Sequence, residues 1–259
     1  MLTEIAPSER ETLRPLFAGF PGLRGCVDAA LEGTMGRAWA DDPSRPRVAM
    51  LQLDFFLFAG DPGAAGAEEA VRSVDQDGSI VAATASWEPV LRRVWGERLR
   101  SHTRMEFDQG EWDRKDLREF MEALPKGLVV KRIGPADAAR FAELADSLVY
   151  NFPSLEDFLA RGAGFGIEHE GRFVSGCASF ALSSRSLEFE IQTHPDFRRR
   201  GLAYATAAAM IEHCLDRGLE PCWDAHNDMS AALATKLGFV NPQPYTAYEL
   251  RPRVATGGG

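Results

Sequence analysis

Three arginines and a glycine, Arg198-Arg199-Arg200-Gly201, run straight into the alanine-rich segment Leu202-Ala203-Tyr204-Ala205. A helix start carries unpaired N–H groups and the positive end of the helix dipole, so a cluster of cations there is unfavourable unless an anion joins it. The chemistry this arrangement suits is the gripping of a diphosphate. Backbone N–H groups supply donors in a small concave space, Gly201 and Ala203 permit close approach, and the arginines add charge-assisted contacts. Taken alone, the hexapeptide reads equally well as a solvated basic corner.

Upstream, Leu187, Phe189 and Ile191 alternate with Glu188, Glu190 and Gln192. That period predicts a strand with both carboxylates on one face. Adjacent like charges raise each other's proton affinity, which suits general-base work; they also suit binding a cation, or simply a solvated strand face. Asp224, in the apolar stretch Glu220 to Ala225, is a second carboxylate candidate and equally a structural hydrogen-bonding group. His226 and Asn227 follow it. A lone histidine is more often structural than catalytic, and Asn227 has the type favoured at a helix N-cap.

The elements that must hold these residues follow from periodicity and punctuation. Helices are predicted over Pro7 to Phe17 (with Ser8 as N-cap), Leu23 to Leu31, Trp87 to Leu99, Asp116 to Leu124, Pro135 to Val149, Leu155 to Arg161, Leu202 to Arg217 and Met229 to Leu237. Strands are predicted over Arg47 to Leu53, Phe55 to Ala59, Ser79 to Thr84, His102 to Phe107, Leu128 to Ile133, Leu187 to Thr193, Glu220 to Ala225 and Pro244 to Leu250. Gly164 to His169 and Arg172 to Phe180 form a hairpin across Glu170-Gly171. Gly218 and Gly238 close helices as C′ glycines. The turn Pro125-Lys126-Gly127 sets the expected boundary between an N-terminal α/β domain, 1–126, and a second domain, 127–252, followed by a disordered tail, 253–259. The fold class is α/β, a mixed sheet covered by helices on both faces. The rough strand–helix alternation common to the two halves leaves a degenerate duplication open.

The residues 127–250 resemble the GNAT acyltransferase family. Its Gln/Arg-x-x-Gly-x-Gly/Ala signature is matched by Arg198, Gly201 and Ala203. Its strand–Asn–helix–Leu-Gly-Phe signature is matched by Cys222 to Asn227 and by Leu237-Gly238-Phe239. The sequence is further similar to the branch containing zwittermicin A resistance acetyltransferases, through Gly164-Phe165-Gly166, Glu190-Ile191-Gln192-Thr193, Gly201-Leu202-Ala203 and Trp223-Asp224, and through an extra N-terminal half.

The resemblance implies acetyl-CoA as cosubstrate and no metal. It implies that backbone groups of Ile191, Gln192 and Thr193 hold the thioester and pantetheine arm. Arg198 opens the pyrophosphate turn, and the N–H groups of Arg199, Arg200, Gly201, Leu202, Ala203 and Tyr204 grip the diphosphate. Asn227, with Ser230 one turn on, faces the pantetheine arm. Glu190 lies nearer the thioester end than Glu188 and is the preferred base. Many family members place a tyrosine seven residues after the asparagine as acid for the thiolate; here that position is Ala234. His226, Ser230, Tyr245, Tyr248 or water then remain as proton sources.

The implied function is N-acetylation of a primary amine on a small molecule, an amine antibiotic or polyamine-like compound, with acceptor residues around Asn151 to Gly166 and in the N-terminal half. Alternatives are a protein N-terminal or lysine acetyltransferase, and a non-catalytic acetyl-CoA-binding module, for which Ala234 speaks.

The 259 residues are 45% hydrophobic and 26% charged, with a formal net charge of -9. That balance argues against a nucleic-acid partner and accords with a cationic substrate. Cys26, Cys177, Cys214 and Cys222 show neither metal-ligand nor disulfide spacing. The N-terminal residues lack a basic region before an apolar run, and no apolar stretch reaches spanning length, so no membrane partner, a cytoplasmic location and a monomer or homodimer are expected.

Overall fold

Chain order is built from β1 (Thr3–Glu4), a 3-10 helix (Pro7–Phe17), α1 (Arg24–Leu31), β2 (Arg37–Ala40), β3 (Val48–Gln52), β4 (Phe55–Gly60), α2 (Ala65–Arg72), β5 (Gly78–Ala82), α3 (Glu88–Trp95), β6 (Leu99–Asp108) and α4 (Arg114–Glu122). It continues through β7 (Val130–Arg132), α5 (Ala138–Ala142), α6 (Leu155–Arg161), β8 (Gly164–His169), β9 (Arg172–Leu182), β10 (Ser186–Thr193), α7 (Leu202–Arg217), β11 (Glu220–Ala225), α8 (Asp228–Leu237) and β12 (Val240–Leu250). The computed structural model describes residues 2–74 and 76–252; the expected tail, 253–259, lies outside them.

The chain forms two units, Met1–Arg104 with Pro244–Gly259, and Met105–Gln243. In the first, strands run β1-β2-β3-β4-β5-β12. All neighbours are antiparallel except β4 and β5, which are parallel and joined through α2. In the second, the order is β7-β8-β9-β10-β11-β6. Again all neighbours are antiparallel except one pair, β10 and β11, joined through α7. The same order and senses recur, so the alternation seen in sequence is a duplication at the level of topology. Each unit takes its last strand from beyond the other's closing helix: Pro244–Leu250 pairs with β5, and Met105–Phe107 pairs with β11.

The expected boundary at 126/127 is therefore corrected. Pro125-Lys126-Gly127 merely turns the chain from α4 into β7 inside the second unit, where Met121, Leu124, Leu128 and Val130 pack on one cluster. A fragment 127–252 lacks Phe107 and Leu117, each 1% exposed in the second unit's core. Each such side chain contributes about 1.5–3 kcal/mol of burial, against a total stability of about 5–15 kcal/mol. The expected outcome is a cooperative thermal transition for a 105–243 fragment and none for 127–252, read by circular dichroism.

Two helix expectations are also corrected. Pro7–Phe17 is 3-10 rather than α, preceded by Ala6 rather than capped by Ser8, with Pro7 at its start and Pro15 inside it withholding N–H donors. The expected helix Pro135 to Val149 is broken: α5 ends at Ala142, Ala145 is extended (φ -166, ψ 133), and a 3-10 turn follows over Asp146–Leu148. Short polar Asp146 and Ser147 compete with the backbone for hydrogen bonds and disfavour a continuous helix.

In the first unit Phe58 lies against Trp87 and Trp95, with ring centroids at 5.5 and 6.2 Å. In the second, Trp223 and Phe239 approach to 5.2 Å, and Ala207, Ala208, Ala234 and Leu237 share their cluster. Among the described residues, no helix is long and apolar enough to cross a membrane.

Candidate active site

β10 and β11 pair only over Ser186↔Glu220, Leu187↔Pro221 and Glu188↔Cys222. Beyond that point the strands part. Trp223 to Ala225 pair with Phe107 to Met105 of β6, while Phe189 to Thr193 continue the ladder with β9. On the β11 side, Ile191 to Thr193 have no ladder partner among the described residues, so this side of β10 is able to accept an extended ligand as an added strand.

That edge leads to the arginine turn. Pro195–Phe197 form a 3-10 turn, closed by the Asp196 N–H donating to His194 Nδ1 at 3.4 Å. Phe197 and Leu202 anchor the turn from both sides in a cluster with Ile167, Val174 and Ala205. Arg199 (φ 59) and Gly201 (φ 82) are both left-handed, and no side chain caps α7. Arg198 is extended, and the two left-handed residues after it turn the chain sharply into α7, whose first-turn N–H groups have no intrahelical acceptor and form an anion-binding concavity. A Cβ on Gly201 would meet nothing within 4 Å, so the space beside the concavity is open. These features fit a diphosphate.

The arginines divide their work. Arg198 Nε donates to the Thr193 carbonyl at 3.3 Å, and Arg200 Nη2 donates to the Asp196 carbonyl at 2.9 Å, with the Arg200 guanidinium carbon 5.0 Å from the Phe197 ring centre. They brace the turn itself, and Arg199 is left projecting from it. Leu202 is buried, while the Tyr204 ring is spent in packing, stacked on Phe120 at 5.7 Å with Lys236 Nζ at 4.3 Å.

At the next helix start, Asn227 Oδ1 accepts the Ser230 N–H at 3.0 Å, the cap expected from sequence. This leaves its Nδ2 group for a ligand. Ser230 Oγ accepts the Trp223 indole N–H at 3.1 Å, which fixes the hydroxyl. Gly238 (φ 97) ends α8, and the Trp112 indole N–H donates to the Leu237 carbonyl at 2.7 Å. Ala234 is fully buried between α7 and α8, so the position has no room for a phenol. Of the tyrosines considered as substitutes, Tyr248 is buried in the first unit's core, where burial raises its hydroxyl's pKa. The Tyr245 ring packs on Gly22, so closely that a Cβ there would come within 2.2 Å of it.

Leu187, Phe189 and Ile191 pack beside Met210 and Cys214 of α7, so the pleat turns Glu188, Glu190 and Gln192 to the opposite face. Glu188 is only 3% exposed. Glu190 Oε1 accepts from Ser147 Oγ and from Gln192 Nε2, both at 2.8 Å. Behind it, burial pushes the Cys177 thiol well above its usual range, with Cys214 and then the Glu190 charge adding to the shift.

Asp224 lies directly across from Glu106. Met105 and Phe107 face the α7 side, so Glu106 joins the carboxylate face. His226 is exposed just before Asn227. Glu106 and Ser147 were missed from sequence: β6 reads as part of the other half, and Ser147 reads as mid-helix. The alternation of Met105 and Phe107 with Glu106 was the available signal for the first.

A model of the GNAT acetyltransferase family matches residues 14–248. The chain is 31% identical over 227 residues to the uncharacterized N-acetyltransferase YdfB of Bacillus subtilis (strain 168), covering 82% of this chain and 85% of that protein. The crystal structure of a GCN5-related N-acetyltransferase-like protein from Streptococcus suis 89/1591 superposes with a TM-score of 0.84 at 33% identity, covering 94% of this chain and 99% of that one. A tandem GNAT protein from the clavulanic acid biosynthesis pathway shares the fold at a TM-score of 0.59 and 14% identity, covering 98% and 99%.

Proposed function

The chain belongs to the GNAT acetyltransferase family and is an acyltransferase, and from that premise we propose that it acetylates a primary amine on a small cationic molecule, with acetyl-CoA as donor. The observation that carries this reading is the parting of β10 from β11 beyond Glu188↔Cys222, which opens an edge leading to the uncapped start of α7.

When bound, acetyl-CoA supplies the acetyl group as a thioester. The N–H groups of Arg199 to Tyr204 hold its diphosphate, and Arg199 adds charge. The free edge of Ile191 to Thr193 aligns the pantetheine arm, with Asn227 Nδ2 donating to it. Holding donor and amine together makes the attack effectively intramolecular. Glu190 takes the ammonium proton, and Asp224 is the second candidate for that role. Water supplies the proton for the thiolate, because Ala234 is apolar and buried.

The carboxylate face of Glu190, Asp224 and Glu106 favours a polycationic acceptor, such as a polyamine-like amine antibiotic of the zwittermicin type. A radiolabelled acetyl-CoA screen across amines tests this. Polyamine-like primary amines should dominate the acetylated products, whereas products confined to peptide N-termini or protein lysines would point to a protein substrate.

Among the described residues, the first unit lacks the counterpart of this opening. β4 and β5 stay paired through Phe58↔Ala82, and the Asp61 carboxylate already takes the Gly63 N–H at 2.8 Å in the turn before α2. Titration calorimetry should therefore find one equivalent of acetyl-CoA per chain; two equivalents of comparable affinity would contradict this.

A further inference from the structure

We propose that Ser147 is a positioning residue for the base: its hydroxyl, together with the Gln192 amide, fixes the Glu190 carboxylate and keeps it ionised. The inference rests on the reading of Glu190 as the base. Ser147 Oγ and Gln192 Nε2 each reach Glu190 Oε1 at 2.8 Å, and Gln192 Nε2 also donates to Ser147 Oγ at 3.4 Å. The three side chains therefore close a ring of hydrogen bonds in which one carboxylate oxygen receives two donors.

The break in the chain after α5 is what delivers Ser147 to this place. Ala145 leaves the helical region, and the Asp146–Leu148 turn carries Ser147 onto β10. A continuous helix over those residues would have sent its side chains elsewhere. The fold thus supplies from an acceptor-side loop a donor that β10 alone cannot.

The electrostatic need is specific. Carboxylates share the face on which Glu190 lies: Glu188 two residues away on its own strand, and Asp224 paired across from Glu106 on β11 and β6. Like charge on one face favours the protonated form of a carboxylic acid, the form that cannot act as a base. Two hydrogen bonds donated to the ionised form oppose that effect.

The test is the pH profile of kcat/KM for the amine, where the base must be ionised, so activity rises through its pKa. In Ser147→Ala the acid limb should move up by about half to one pH unit, because a donor to the charged form is lost. The KM for acetyl-CoA should stay unchanged, and Ser147→Thr should restore the limb. Gln192→Met removes the other donor, together with its 3.4 Å bond to Ser147 Oγ, and should move the limb the same way.

A purely structural role would lower activity evenly across pH. If the limbs of Ser147→Ala and Gln192→Met overlay that of the unaltered protein while Glu190→Gln is inactive, Ser147 has no such role. Full activity of Glu190→Gln would instead overturn the base assignment, and this inference with it.

Discussion

Gly201→Glu should weaken acetyl-CoA binding by about a hundredfold or more, while the protein still folds. Gly201 is left-handed at φ 82, a conformation that costs other residues about 1–2 kcal/mol. A Cβ there meets nothing, so strain in the backbone is the whole steric consequence for the free protein. The carboxylate, however, enters the space beside the N–H concavity. A unit charge about 4 Å from a phosphate charge repels it by about 4 kcal/mol at an effective dielectric of 20, and solvent at this exposed turn reduces that figure. Gly201→Ala carries the strain without the charge; the strain is present in the free protein too, so it should lower stability by about 1–2 kcal/mol and change affinity far less than Gly201→Glu. Calorimetric titration of both variants separates the two terms. Normal binding by Gly201→Glu would remove the turn from the donor site.

Glu190→Gln should lower kcat by about a hundred- to ten-thousandfold, the range for loss of a general base, with acetyl-CoA affinity unchanged. The amide keeps the size of the carboxylate and an oxygen to accept from Ser147 and Gln192, so the local geometry is retained. What disappears is the ability to take the ammonium proton. The variant should also lose the acid limb of the rate profile and recover part of its rate at high pH, where the amine is already neutral. Steady-state kinetics with saturating acetyl-CoA reads both effects. A kcat near that of the unaltered protein would transfer the role to Asp224.

The sequence made the second unit's donor side legible because its signals are local. The hairpin across Glu170-Gly171, the full extent of α7, the Asn227 cap and the Gly238 stop each depend on a few neighbouring residues. The exchange of last strands was not legible, because nothing in Met105–Phe107 names β11 as its partner and nothing in Pro244–Leu250 names β5. The boundary at 126/127 failed for that reason.

Helix α2 was also overlooked. Gly66 interrupts its pattern, yet that glycine lets the helix approach Asp41, where a Cβ would come within 2.5 Å. Glu106 and Ser147 reach the carboxylate face only through tertiary pairing and a helix break, both invisible to periodicity. Ala234 was readable as a departure from the family pattern. Only its burial between α7 and α8 explains why no side chain there can serve the thiolate.

The central claim is that this chain couples the donor edge of β10 to a cationic amine on the carboxylate face. Its most direct test measures CoA thiol release and N-acetylated product together, with a polyamine-like primary amine as acceptor. One thiol should appear for each acetylated amine, and both rates should fall by at least about a hundredfold at neutral pH in Glu190→Gln. Binding of acetyl-CoA with neither thiol release nor an acetylated product, across the whole amine panel, would contradict it.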